Sequence, residues 1–167
     1  SILAKVNFPR EALIVAGIYQ GLFNAGVKAI ILIVALAIMG YFSGWTLLLF
    51  PIGVISLVLA GTAIGLMITP LGMLYTDISK AIPLVMQFLM YTTPVVYAIP
   101  KEGLSSQIVR HNPITPLIMT TRDWLTGMQP EFLNGFLWMN LIVVVLLAIM
   151  LVAYRLAMPI LIERMNA

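Results

Sequence analysis

The sequence contains no cysteine, which excludes disulfides and thiolate metal sites. Its one histidine is His111, too few for a centre built on imidazole ligands. Charge is scarce. Asp, Glu, Lys and Arg make up 9% of the 167 residues, against roughly 25% in a soluble domain. No basic run occurs, and the net charge of +3 comes from scattered residues. That pattern reads as membrane topology and not as nucleic-acid binding. There is no GxxxxGKS/T loop to hold nucleotide phosphates and no GxSxG nucleophile elbow. Nothing at the N-terminus reads as a cleavable signal. Ser1 stands either where an initiator Met was removed or partway along a longer protein.

What the chain has in abundance is apolar residues: 62% of the total, with mean hydropathy +1.07. The solvent for such a chain is a bilayer, and the length suits one domain, 1–167. The expected fold is therefore an all-α membrane protein. A spanning helix needs about 20 mostly apolar residues. Four stretches meet this, at 13–39, 46–69, 81–98 and 136–154. Lys5, Arg10, Lys80, Arg155 and Arg164 flank one side, while Lys101, Arg110 and Arg122 are spread over a longer loop on the other. The positive-inside rule puts the termini and the 71–80 hinge in the cytoplasm.

The segment 1–12 is too charged to span. Asn7 or Phe8 is placed to cap a helix, with Pro9 at its first position and Glu11 in its first turn. It is either a simple helix start or an amphipathic segment that meets a partner. In the first span Gln20, Asn24 and Lys28 recur every four residues and share one helix face. Gly17, Gly21 and Ala25 lie on a neighbouring face at a spacing that favours close helix packing. Lys28 lies well inside the span. It either faces a wet cavity or a partner, or it snorkels to the interface while Gln20 and Asn24 bond across helices. The aromatics of 40–45 suit an external turn at the interfacial belt. In the second span Ser56, Ala60, Gly61 and Gly65 predict tight packing, Pro51 a kink or end in the first turn, and Pro70 the stop.

The stretch 71–97 departs most from unbroken apolarity. Thr76-Asp77 forms a polar hinge. Asp77 or Ser79 then caps a helix carrying Pro83 in its first turn, and Gln87 and Tyr91 share a face before Thr92-Thr93-Pro94 breaks it. Between 100 and 134 two short apolar pieces, 104–109 and 114–125, are separated by Asn112-Pro113. Neither can span. Two short helices lying on or dipping into the outer leaflet fit them. Ser105, Ser106, His111 and Asp123 could be imagined as a hydrolytic set, but their spacing carries no signature. The fourth span is nearly featureless.

The order of these motifs is informative. FPRE precedes a span; Leu71-Gly72, Tyr75 and Asp77 form the hinge. Thr93-Pro94-Val95-x-Tyr97, Asn112-Pro113 and Arg122 follow. Over essentially its whole length the chain resembles the membrane permease of ABC-2 type polysaccharide exporters, which move O-antigen, capsular polysaccharide or teichoic acid. The resemblance implies a multi-pass permease in the bacterial inner membrane, paired with a second copy and with two copies of a cytoplasmic ATPase. ATP and Mg would be bound on that ATPase, with no cofactor on this chain. Lys5, Phe8, Pro9, Arg10 and Glu11 would belong to the coupling region that contacts it. Residues 100–134 would be the pair of gate helices, with Asp77, Pro94, Asn112, Pro113 and Arg122 at hinge and gate. Gln20, Asn24, Lys28, Gln87, Tyr91 and Tyr97 are the candidates for lining the path of a lipid-linked glycan. Sugar C–H faces stack on aromatic rings, and weak multiple contacts permit movement. Two departures stand out: the hinge reads Thr76-Asp77 where the family has Arg-Asp, and the family has two further spans ahead of the coupling region. A drug-exporting ABC-2 permease, a membrane enzyme using His111 and Asp123, and an assembly protein whose spans only pack are the alternative readings.

Overall fold

The computed structural model describes residues 10–41, 44–95 and 103–166. Among them the structure is all-helical, with no strand. Six α-helices follow one another: α1 (Arg10–Ile38), α2 (Phe50–Leu74), α3 (Thr76–Thr92), α4 (Leu104–His111), α5 (Thr115–Thr126) and α6 (Leu133–Asn166). A short 3-10 helix, Gly44–Leu48, leads into α2. Three segments are long and apolar enough to cross a membrane: Ala12–Ile38, Gly44–Gly72 and Leu133–Leu156. They match three of the four expected spans to within a few residues.

The fourth expected span, 81–98, takes a different form. Its helix, α3, has 17 residues and is about 25 Å long, short of the ~30 Å hydrocarbon core. It begins five residues before the expected span and ends at Thr92. Tyr75 is extended (φ −126°, ψ 105°), and its N–H reaches back to the Leu71 carbonyl. The helix restarts at the next residue, so Pro83 falls in its interior and not in its first turn. Pro70 does not stop α2 either; the helix continues to Leu74. In both places the helix runs through the proline at the loss of one backbone bond. No side chain caps α3. Asp77 lies in its first turn, and the Ser79 hydroxyl donates instead to the Gly72 carbonyl at 3.1 Å.

α2 is the hub. It packs against α6, α5, α1 and, through the hinge, α3. Pro51 lies in the first turn of this helix. Hydroxyls inside the apolar helices are satisfied locally: Ser56 donates to Ile52 O, Thr62 to Val58 O and Thr69 to Gly65 O. Thus no hydroxyl of α2 is left bare toward lipid. The main core lies at the end of α2 where α5 and α6 meet it. It comprises Phe50, Ala60, Leu117, Trp124, Leu125, Phe136 and Val143. Trp124 and Phe136 pack edge to face, with centroids 5.0 Å apart.

Of the glycines the spacing pointed to, Gly21 would place a Cβ at an ordinary contact distance, 3.4 Å, from Val58 of α2. Gly61 and Gly65 have nothing near the position of a side chain. Gly53 does: a Cβ there would overlap the side chain of Thr121 on α5. On the other side of α5, a Cβ at Gly135 would come 3.1 Å from Pro116. Two backbones without side chains thus clamp α5. As a result α5 is deeply buried among its neighbours: eight of its twelve residues are buried.

Candidate functional site

The candidate residues fall into three groups. The first is the polar stripe of α1. Gln20, Asn24 and Lys28 are all exposed, on a helix whose apolar window has none of its residues buried. α1 turns Ala29, Ile33 and Leu36 toward the core instead. In a membrane such a polar stripe is costly unless water, a partner or a substrate covers it. The second group is α3, where Gln87 and Tyr91 are exposed, one turn apart on one face. Every residue from Ala81 to Phe88 is exposed as well. The helix is held at its two ends and is bare along its middle. α1 and α3 make no extensive contact, since each meets α2 on its own. The two polar faces are therefore not brought together within one chain.

The third group is the joint that ties α3 to the short helices. Thr93 is 2% exposed and Pro94 is buried beside it. The Thr93 hydroxyl donates to Leu89 O at 2.7 Å, closing the helix end. Asn112, at the end of α4, then makes three bonds. Its Nδ2 donates to Thr93 Oγ1 at 3.2 Å and to Thr92 O at 3.4 Å, and its Oδ1 accepts from the Ile114 amide at 3.0 Å. Pro113 fixes the corner between α4 and α5. Two motifs some twenty residues apart in sequence, Thr-Thr-Pro and Asn-Pro, are thus one structural unit. Sequence reasoning named both but did not pair them; the signal was the carboxamide, which can serve a carbonyl, a hydroxyl and an amide together.

Beyond this joint the short helices carry the chain's charged cluster. Arg110 Nη1 lies 3.6 Å from Glu131 Oε1, and its guanidinium stands over Phe132 at 5.9 Å from the ring centroid. Asp123 is 7% exposed. Burial pushes its carboxyl above the usual range, while the Arg122 guanidinium and the Glu131 backbone amide pull it partly back, and the Glu131 carboxylate raises it further. A carboxyl raised by folding stabilises the fold when protonated. That contribution is complete below the unfolded value of about 3.9 and is lost as pH climbs through the raised folded value. Thermal stability in detergent is therefore expected to fall as pH rises from about 4 toward neutral. Asp123→Asn should flatten that dependence. An unchanged pH profile in this variant would remove Asp123 as its source.

Thr115 and Thr120 bury hydroxyls that have no hydrogen-bond partner. Each costs about 1–3 kcal/mol, so α5 is seated at some expense. His111 turns Nδ1 to the Gln107 carbonyl of its own helix at 2.9 Å. Among the described residues no hydrogen bond joins it to Ser106 or Asp123. Asp77 is exposed and 4.0 Å from Lys80. Arg10 and Glu11 form the first turn of α1. Lys5, Phe8, Pro9 and Tyr97 lie outside the described residues. No group of three or more metal-ligating side chains occurs among the described residues. No family model, no curated protein and no solved structure matches the chain.

Proposed function

We propose that the chain is the membrane permease of an ABC-type exporter that carries a lipid-linked polysaccharide across the bacterial inner membrane. The observation that carries the proposal is the exposed Gln20–Asn24–Lys28 stripe on an otherwise apolar helix. A helix destined only for lipid has no reason to hold an amide, an amide and an ammonium on one line. The exposed pair Gln87 and Tyr91 on α3 offers a second face with an amide and an aromatic ring. Two such faces, met by a second copy of the chain, would make a conduit of weak, repeated sugar contacts. The fused Thr93–Asn112 joint supports the gating part of the reading. It links the end of a path-bearing helix to two short helices that do not cross the membrane. Hydrolysis of ATP takes place on the separate ATPase, whose motion would enter through 5–11, the segment that includes the first turn of α1.

Co-purification tests the coupling part. The full-length permease, expressed with an ATPase subunit of the polysaccharide-exporter type, is expected to capture it from solubilised membranes. Charge reversal at both Arg10 and Glu11 should abolish capture. An ATPase that never co-purifies, or one that binds the reversed variant equally well, would count against this function.

A further inference from the structure

α1, α2 and α6 leave a groove between them of about 320 Å³, at the lower end of the ~300–1,000 Å³ typical of small-molecule sites. Its lining includes Leu13, Gly17, Thr62, Gly65, Thr69 and Tyr154. Both glycines have nothing within 4 Å of where a Cβ would stand, so the floor is open. Thr62 and Thr69 turn their hydroxyls to the carbonyls of Val58 and Gly65. They therefore have no hydroxyl hydrogen left to offer an occupant, and the walls behave as apolar.

Tyr154 differs. It is 6% exposed, and its ring packs with Leu66, Ile14 and Met150 in a small core of its own. Its hydroxyl makes no hydrogen bond among the described residues. The sealed, unpartnered oxygens are those of Thr115 and Thr120, so the Tyr154 hydroxyl is not shut inside the protein. What is left open of this residue faces the groove it lines. One buried ring thus presents one donor to an otherwise apolar trough.

We infer that the groove holds one acyl chain of a glycerophospholipid, with Tyr154 donating to its ester carbonyl. The level of the groove favours this occupant. Leu13 lies in the first turns of α1, Thr69 in the last turns of α2, and Tyr154 directly before Arg155, the first charged residue of α6. All three mark the same end of the bundle, next to Arg155. Tyrosine and arginine at the end of a span are at the depth of lipid esters and phosphates. In a bilayer an apolar trough open to the side is in contact with tails from the outset. The inference requires only that these three helices cross a bilayer, and it stands or falls separately from the export function.

The test uses the full protein, delipidated in detergent and titrated with palmitoyl-oleoyl phosphatidylglycerol, with bound lipid counted by native mass spectrometry. Gly17→Leu and Gly65→Leu fill open space and should fold; each is expected to lower lipid retention about ten-fold. Tyr154→Phe keeps the ring and should lower it about five-fold, the worth of one hydrogen bond. Gly61→Leu, equally unhindered but outside the groove, should leave retention unchanged. A photo-crosslinking residue at Gly65 should yield a lipid adduct in membranes. Unchanged retention in both leucine variants would overturn the inference. So would a polypeptide adduct at Gly65, which would give the groove to a partner helix.

Discussion

Gly53→Val is expected to unseat α5 and to lower the folded yield sharply. A Cβ at this position would lie 2.7 and 2.8 Å from Cγ2 and Cβ of Thr121, and it would overlap Oγ1 as well. Thr121 cannot swing aside freely, because its hydroxyl donates to Leu117 O at 2.6 Å inside the core. The backbones of α2 and α5 must therefore separate. Overpacking of this kind costs about 1–3 kcal/mol and more where backbone shifts. The loss would spread to Leu117, Trp124 and Leu125, which α5 contributes to the core. Thermal unfolding followed by size-exclusion fluorescence measures the effect. Gly53→Val with Thr121→Gly should recover part of the loss, since the second change removes the obstructing atoms. Gly61→Val, by contrast, should be tolerated, because that position opens on empty space. Equal behaviour of Gly53→Val and Gly61→Val would mean that α5 is not seated on α2 in this way.

The second large effect is functional. Lys28→Leu is expected to ease membrane insertion of α1 and to abolish export. Lys28 lies ten residues before the end of α1 at Ile38, about 15 Å along the helix. A lysine near the centre of a span costs about 2.5–3.5 kcal/mol on insertion scales. Among the described residues no carboxylate forms an ion pair with it. Its compensation on the proposed reading comes from a wet path and the cargo that passes through it. Glycan export in cells and glycosylation-reporter insertion of α1 are the paired measurements. Gln87→Ala combined with Tyr91→Ala should lower export in the same assay without altering insertion. Full export by Lys28→Leu would move the stripe out of the path and return it to snorkelling or packing.

These two predictions rest on different kinds of information. The Lys28 stripe was legible in the sequence, because helical periodicity alone puts positions four apart on one face and the apolar run around them defines the span. The three crossing helices were legible for the same reason: apolar length is a local property. The two short helices between 103 and 126 were also visible, from the Asn-Pro corner and from runs too brief to span.

What tertiary structure decided is what depends on neighbours distant in the chain. The glycines that matter, Gly53 and Gly135, are set by Thr121 and Pro116 across the bundle, whereas the regular spacing of Gly61 and Gly65 marks an open face. The beginning of α3 at Thr76 and the continuation of helix through Pro70 and Pro83, each at the loss of one backbone bond, are not given by the local pattern of residues. The burial of α5, and with it the raised carboxyl of Asp123, needs α2 and α6 on either side. The pairing of Thr93 with Asn112 and the groove over Tyr154 likewise exist only once helices remote in sequence lie together. Composition and period marked the three helices long and apolar enough to cross a membrane but not the true length of α3; side-chain volume and hydrogen-bond closure between segments determined how they meet.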